Sequence, residues 1–212
     1  MLAEPQFAVL SRNSRRAGWR LAAAMLLLGV STAALSQFGA TANGKPLTTL
    51  APPGTRAVAL FFVASDCPIS DRTFPEMKRL REEFAARGVK FYFVYPNSTE
   101  HLDDITTHQR AFDPSGEILL DPNGDLIRLT HARVTPEAAI LTPSKAGWQS
   151  IYTGRFDDRY IHLGLERPRP THIFAEEALS AVLTGKAAPK PTGTPVGCSI
   201  VNPATTGSMG SH

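Results

Sequence analysis

The chain offers few side chains suited to covalent chemistry, and they fall close to elements that can activate them. Cys67 follows Asp66 and precedes Pro68, between the apolar run 57–63 (AVALFFV) and a stretch with helical periodicity. A cysteine at a helix start has chemical meaning whatever the protein. The first-turn N–H groups and the helix dipole favour a thiolate, and the thiolate is the reactive form. Pro68 suits the first helical position, where its missing N–H has no helical partner to lose. Ser70, one turn on, can donate a hydrogen bond to such a thiolate, whereas the adjacent carboxylate of Asp66 works against ionisation. The bland alternative is a buried cysteine acting as a small hydrophobe. The second cysteine, Cys198, leaves a single pairing open, which an oxidising compartment would favour. The histidines are scattered. His101 and His108, the one suggestive pair, read as a solvated helix face, and without a second Cys-x-x-Cys there is no structural zinc pattern. No metal or cofactor is expected.

The elements that must position these groups follow from periodicity. Residues 57–63 and 89–95 (VKFYFVY) read as strands buried on both faces. A helix is expected from about 66 to 87, with Phe74, Met77, Leu80 and Phe84 at helical spacing and Gly88 as its left-handed cap. Residues 44–54 read as a short hairpin or edge strand. Ser98 is the expected cap of a polar helix over 99–111, followed by a short strand at 117–120 and a short helix at 123–131. Residues 138–141 and 149–153 read as paired strands, and 171–184 as a final amphipathic helix closed by Gly185. Alternating strands and helices with a closing hairpin imply an α/β fold: a central mixed sheet, flanked by helices on both faces.

At 212 residues with 42% hydrophobic content, the chain is long enough for one domain with a real core. Four arginines (Arg12, Arg15, Arg16, Arg20) and one acid (Glu4) lie in residues 1–36, so the remainder balances at 18 basic and 18 acidic residues. The body therefore has no charge excess to attract nucleic acid. The fifteen residues 21–35, apolar and preceded by those arginines, read as a signal peptide or an uncleaved anchor. Small residues at Ala34 and Ser36, or at Ala40 and Ala42, offer cleavage sites. The expected organisation is a targeting segment at 1–42, one domain at 43–185 and a Pro/Gly-rich tail at 186–212 carrying Cys198. The expected location is outside the cytoplasm, in a bacterial periplasm, with membrane contact only through residues 21–35 if they are retained.

The segment FFVASDCPISDRTFPEMKRL resembles the active-site segment of thioredoxin-like redoxin proteins. There an apolar strand leads into Cys-x-x-Cys and a helix kinked by proline. Cys67 matches the nucleophilic first cysteine and Pro75 the kink proline, while Ser70 stands where the second cysteine belongs. The motif is therefore Cys-x-x-Ser. Val134-Thr135-Pro136-Glu137 resembles the loop whose cis-proline faces the active cysteine. The resemblance makes Pro136 cis and gives Thr135 backbone groups for a bound peptide, whereas the residues alone read as an ordinary turn. Gly154-Arg155-Phe156-Asp157-Asp158-Arg159-Tyr160 resembles a stretch in a bacterial branch of redoxin-domain proteins. It is expected near Cys67, with Gly154 and Asp157 joining Pro68, Ser70, Thr135 and Pro136 as candidate substrate-binding residues. A salt-bridged loop of Arg155, Asp157, Asp158 and Arg159 is the plainer reading.

The resemblance implies thiol–disulfide exchange, with protein or small-molecule thiols and disulfides as partners and an electron donor the sequence does not identify. With serine at position 70, resolution of a mixed disulfide needs another thiol, and Cys198 is the one available. A tail of thirteen steps from Gly185 reaches roughly 43 Å, ample to return past a helix of roughly 21 Å. A static disulfide or an idle tail thiol is the alternative. A peroxiredoxin-like peroxidase is a second candidate, but that signature requires proline at position 60 and Ser or Thr at 64. Leu60 and Ala64 stand there. A non-catalytic binding or copper-handling module on the same fold is the third.

Overall fold

The structure, a computed structural model, describes residues 38–145 and 147–202. The apolar run 21–35, with Ala34 and Ser36, and the tail beyond residue 202 lie outside the described residues.

The apolar run at 57–63 forms β2 (Ala57–Phe62), with all six residues buried. Successive side chains of a strand point to opposite faces. Accordingly Ala57, Ala59 and Phe61 enter one core, and Val58, Leu60 and Phe62 the other. β3 (Val89–Tyr95) divides the same way, with Phe91 and Phe93 on one side and Tyr92 and Val94 on the other. Strands with two apolar faces require a layer on each. α1 (Pro68–Ala85) supplies Phe74, Met77, Leu80 and Phe84 to the first face, and α4 (Phe174–Leu183) adds Ala175, Ala178, Leu179 and Leu183. α2 (Leu102–Phe112) contributes Ile105 to the same face. The second face is covered by Leu126 and Ile127 of α3 (Asp125–Thr130), together with Leu50.

The sheet is completed by β1 (Ala40–Thr41), β4 (Ile118–Leu120), β6 (Glu137–Ser144) and β7 (Gly147–Gly154), in the order β1-β4-β3-β2-β6-β7. β2, β3 and β4 are parallel; β6, β7 and β1 run antiparallel to their neighbours. This is the mixed sheet with helices on both faces that the alternation of elements implied. Register brings the C-terminal ends of β2, β3 and β4 to one edge of the sheet. The start of β6 lies there too, since Phe62 pairs with Glu137, and so does the end of β7, since Gly154 pairs with Ala138.

Some boundaries differ from the sequence reading, for identifiable reasons. The hairpin expected over 44–54 is shorter and starts earlier: Pro46 bridges Ala40, and across a turn Phe38 N–H donates to Leu47 O and Leu47 N–H to Gly39 O, but no strand follows to residue 54. β1 lies upstream, a tight turn joins Thr41 to Lys45, and Pro46, Pro52 and Pro53 leave little donor capacity for a ladder. α2 begins at Leu102 rather than 99, so its cap position is His101 and not Ser98, whose N–H donates to Val201 O of the tail. α4 begins at Phe174 rather than 171, and ahead of it Thr171 and His172 donate their N–H groups to the carboxylate of Asp158. Two short pairings lay below the reach of periodicity. β8 (Tyr160–His162) pairs with β9 (Leu165–Glu166), and β5 (Val134–Thr135) pairs with β10 (Cys198–Ser199). The expected extended tail is thus partly a strand. Among the described residues no helix is long and apolar enough to cross a membrane.

Candidate active site

Cys67 is the residue at which β2's loop turns into α1. It holds extended backbone angles (φ −103°, ψ 104°) ahead of Pro68, the first helical residue. It is wholly buried, while Asp66 and Pro68 on either side are exposed. Its sulfur is bonded to that of Cys198, 131 residues away, with the Cα atoms 6.1 Å apart, inside the usual disulfide range. The Thr135–Pro136 peptide is cis. The Thr135 carbonyl oxygen lies 3.1 Å from Cys67 Sγ, where it would accept a hydrogen bond from the reduced thiol. The structure thus brings Cys67, the adjacent Thr135 and Pro136, and Cys198 together from three separate parts of the chain.

The tail closes over the site as a strand. Cys198 is the pairing partner of Thr135 in the antiparallel β5–β10 ladder, and Ile200 N–H extends it by donating to Arg133 O. Gly197 makes this approach feasible, because a Cβ there would stand 2.3 Å from the Thr135 oxygen. The backbone groups of Thr135 that were expected to meet a bound peptide therefore meet the protein's own tail.

Ser70 is wholly buried, and its Oγ accepts a hydrogen bond from Ala64 N (3.4 Å), so it braces the loop ahead of Cys67. Gly154 ends β7 beneath the tail, where an added Cβ would come within 3.0 Å of Pro191. Asp157 lines a narrow pocket together with Ile69, Thr73, Pro136 and Val196, which places it beside the flanks of both cysteines. Burial pushes its carboxyl up, against the N–H of Arg159, which donates to Oδ1 at 2.9 Å. The other oxygen, Oδ2, is buried without a protein partner.

The neighbouring Asp158 differs sharply. Burial works against its charge as well, but Thr171 donates through both N–H and Oγ1, His172 donates its N–H, and Arg167 pairs with it. These hold its carboxyl at about 2. The salt-bridged loop expected of Arg155, Asp157, Asp158 and Arg159 is replaced by other contacts. Arg155 donates to the carbonyls of Asp157 and Tyr160, and Asp158 finds its cation in Arg167.

Three acidic or polar groups near the site escaped the sequence reading. Glu137, directly after Pro136, is buried and accepts hydrogen bonds from the N–H groups of Arg133 (2.7 Å) and Val134 (3.3 Å). Burial pushes its carboxyl up against those donors. Glu100 accepts from both N–H and Oγ of Ser65, tying down the loop before Cys67. Asn202 is buried and donates to Pro96 O and Asp121 O. A polar residue in a Pro/Thr-rich tail carries no sequence signal of such a role. His108, read as solvated, is buried instead: Asp71 and Tyr95 each lie 2.8 Å from one of its ring nitrogens. It has no nitrogen left to join His101 as a copper ligand. Among the described residues there is no cluster of three or more side chains able to hold a metal.

A family model described as the AhpC/TSA family matches residues 32–148. No curated protein matches the chain. An uncharacterised conserved protein from Geobacillus kaustophilus is similar over 79% of this chain and 89% of its own, at 20% identity and a TM-score of 0.63. A hypothetical protein from Sinorhizobium meliloti 1021 is similar over 78% and 91%, at 18% identity and a TM-score of 0.62. A secreted Mycobacterium tuberculosis disulfide oxidoreductase is similar over 71% and 96%, at 15% identity and a TM-score of 0.46. At these identities the likeness is one of fold; its thioredoxin-like character rests on this chain's own sheet order, helix-start cysteine and cis-proline loop together with the AhpC/TSA match.

Proposed function

The chain belongs to the AhpC/TSA family, and from that premise we propose that it is a thiol–disulfide oxidoreductase with Cys67 as nucleophile and Cys198 as resolving cysteine. The observation that carries this reading is the Cys67–Cys198 bond itself, made at a helix start and beside the cis-Pro136 loop. In the oxidising direction a substrate thiolate attacks one sulfur of that bond. The protein's S–S bond breaks, a mixed disulfide forms, and the other cysteine departs as a thiolate. A second substrate thiolate displaces the protein. The substrate loses two electrons and two protons overall, and the protein becomes a dithiol. In the reverse direction the Cys67 thiolate opens a substrate disulfide, and Cys198 releases the product by attacking the Cys67 sulfur. Cys198 thus supplies the second thiol that Ser70 cannot.

Thr135, Pro136, Asp157 and Gly154 line the substrate side in this reading, with Pro68 at the exposed rim and Ser70 as a brace. The substrates are protein or small-molecule thiols and disulfides. The chain would act outside the cytoplasm, exported or anchored through residues 21–35, with residues 43–185 as the redoxin domain. A peroxidase reading draws on family membership, but Leu60 and Ala64 replace the signature residues and lie buried in and just after β2.

The test is a pair of variants assayed with a disulfide-bonded protein substrate. Cys67→Ser should abolish exchange. Cys198→Ser should retain the first attack and accumulate a mixed disulfide at Cys67, seen by mass spectrometry. Equal activity of Cys67→Ser and wild type would overturn the proposal. Peroxide consumption far above that of a free thiol would instead favour the peroxidase.

A further inference from the structure

Resolution by Cys198 requires that this cysteine stay near Cys67 after the bond between them is reduced. Between Gly185 and Gly197 the tail is rich in proline and glycine and mostly exposed, and on its own it is a tether. A short flexible linker gives an effective concentration of only millimolar order, whereas well-oriented groups reach far higher values. The structure holds the tail from the other side of Cys198. Ile200 N–H donates to Arg133 O (3.1 Å), Val201 N–H to Asn97 Oδ1 (2.8 Å), and Ser98 N–H to Val201 O (3.2 Å). Beyond them Asn202 is 3% exposed, and its Nδ2 donates to Pro96 O at 3.0 Å and Asp121 O at 2.8 Å. Those carbonyls follow the ends of the parallel strands β3 and β4, one residue past Tyr95 and Leu120.

We propose that Asn202 is a positioning residue for the redox pair: by pinning the tail across the ends of β3 and β4, it holds reduced Cys198 beside Cys67 and so strengthens the preference of the pair for the disulfide. This rests on the thiol–disulfide function proposed above. The chemistry is specific to an amide. One nitrogen must carry two protons to two carbonyls. Aspartate has the same shape but presents oxygen lone pairs to both acceptors, while glutamine keeps the protons on a side chain one methylene longer.

The experiment equilibrates the full chain with buffers of reduced and oxidised glutathione, quenches with acid and alkylation, and reads the Cys67–Cys198 disulfide by mass spectrometry. Asn202→Asp should be reduced at a glutathione ratio about tenfold less reducing than wild type, equivalent to about 30 mV for a two-electron couple. Asn202→Gln should recover part of the shift. Asn97→Ala, which removes a single contact at Val201, should give a smaller shift in the same direction and serves if Asn202→Asp does not fold. A uniform contribution to stability in both redox states would leave the midpoint in place, so midpoints within twofold of wild type for all three variants overturn the proposal. A wild-type protein that forms no Cys67–Cys198 disulfide at any ratio overturns the thiol–disulfide function first, and this inference with it.

Discussion

The two disulfide-bonded cysteines are held by opposite means. Cys67 sits on a junction built by the core: β2 behind it is buried on both faces, and α1 ahead of it buries Phe74, Met77, Leu80 and Phe84. Its position is a by-product of close packing, which resists displacement. Cys198 sits on a tail whose strand is two residues long and which is held by a handful of individual hydrogen bonds together with Ile200, packed against the second core. Each such bond contributes only about 0.5–1.5 kcal/mol net. The pairing teaches a division of labour. Cys67 is immobilised with the fold, and Cys198 is held by separate contacts that a single substitution can weaken.

Perturbing the junction should therefore cost global stability. Phe74 is wholly buried and stacks on Phe93 at 4.7 Å between ring centroids, with Phe112 at 5.0 Å. Phe74→Ala is expected to lose about 3–5 kcal/mol in both redox forms, measured by urea denaturation with and without reductant. A loss confined to one form would break the comparison. Perturbing the tail should act on the bond instead. Gly197→Ala forces a methyl group against the Thr135 oxygen. It should cost about 1–3 kcal/mol in the oxidised form and less in the reduced form, where the tail can shift away from Thr135, read as a larger drop in the unfolding midpoint of the oxidised protein and slower re-formation of the disulfide.

The smallest effect concerns the loop between the two regions. Asp158 is held down at about 2, against an ordinary 3.8. A carboxyl depressed on folding contributes stability that is present above the unfolded value and is lost as pH falls through the folded one. Wild-type stability should therefore decline between about pH 4 and pH 2, and Asp158→Asn should flatten part of that decline. Asp157, pushed up by burial, has the opposite sign. Its contribution is present at low pH and lost as pH rises through its raised folded value, so Asp157→Asn should remove that loss. Urea denaturation across pH checks both, and identical profiles for the two variants would erase the distinction.

Much of the frame was legible without coordinates. Residues 57–63 and 89–95 read as doubly buried strands because an unbroken apolar run leaves no solvent face, and both occur as β2 and β3. The spacing of Phe74, Met77, Leu80 and Phe84 specified α1, and Gly88, at φ +86°, takes the left-handed turn that returns the chain to β3. Helix starts were read less well. Ser98 was the expected cap and residue 171 the expected start of the last helix, but their N–H groups go to Val201 and Asp158, partners that no local window contains. The buried roles of Glu137 and His108 were missed for the same reason. A charged or titratable residue reads as exposed until the groups that satisfy it are seen.

By itself the sequence determined the layers, the position of Cys67 between strand and helix, and the availability of one other thiol. These depend on periods of two and 3.6 residues and on composition, which are local properties of a chain. Tertiary structure alone decided that Cys198 lies against Thr135, that Gly197 permits the approach, and that Asn202 fastens the tail. It also decided that adjacent aspartates differ in charge behaviour. Those outcomes depend on groups brought together across as many as 131 residues, through strands only two residues long and hydrogen bonds between distant loops. Contacts of that kind leave no periodic trace, because their energy arises only once the sheet has aligned the ends of its strands.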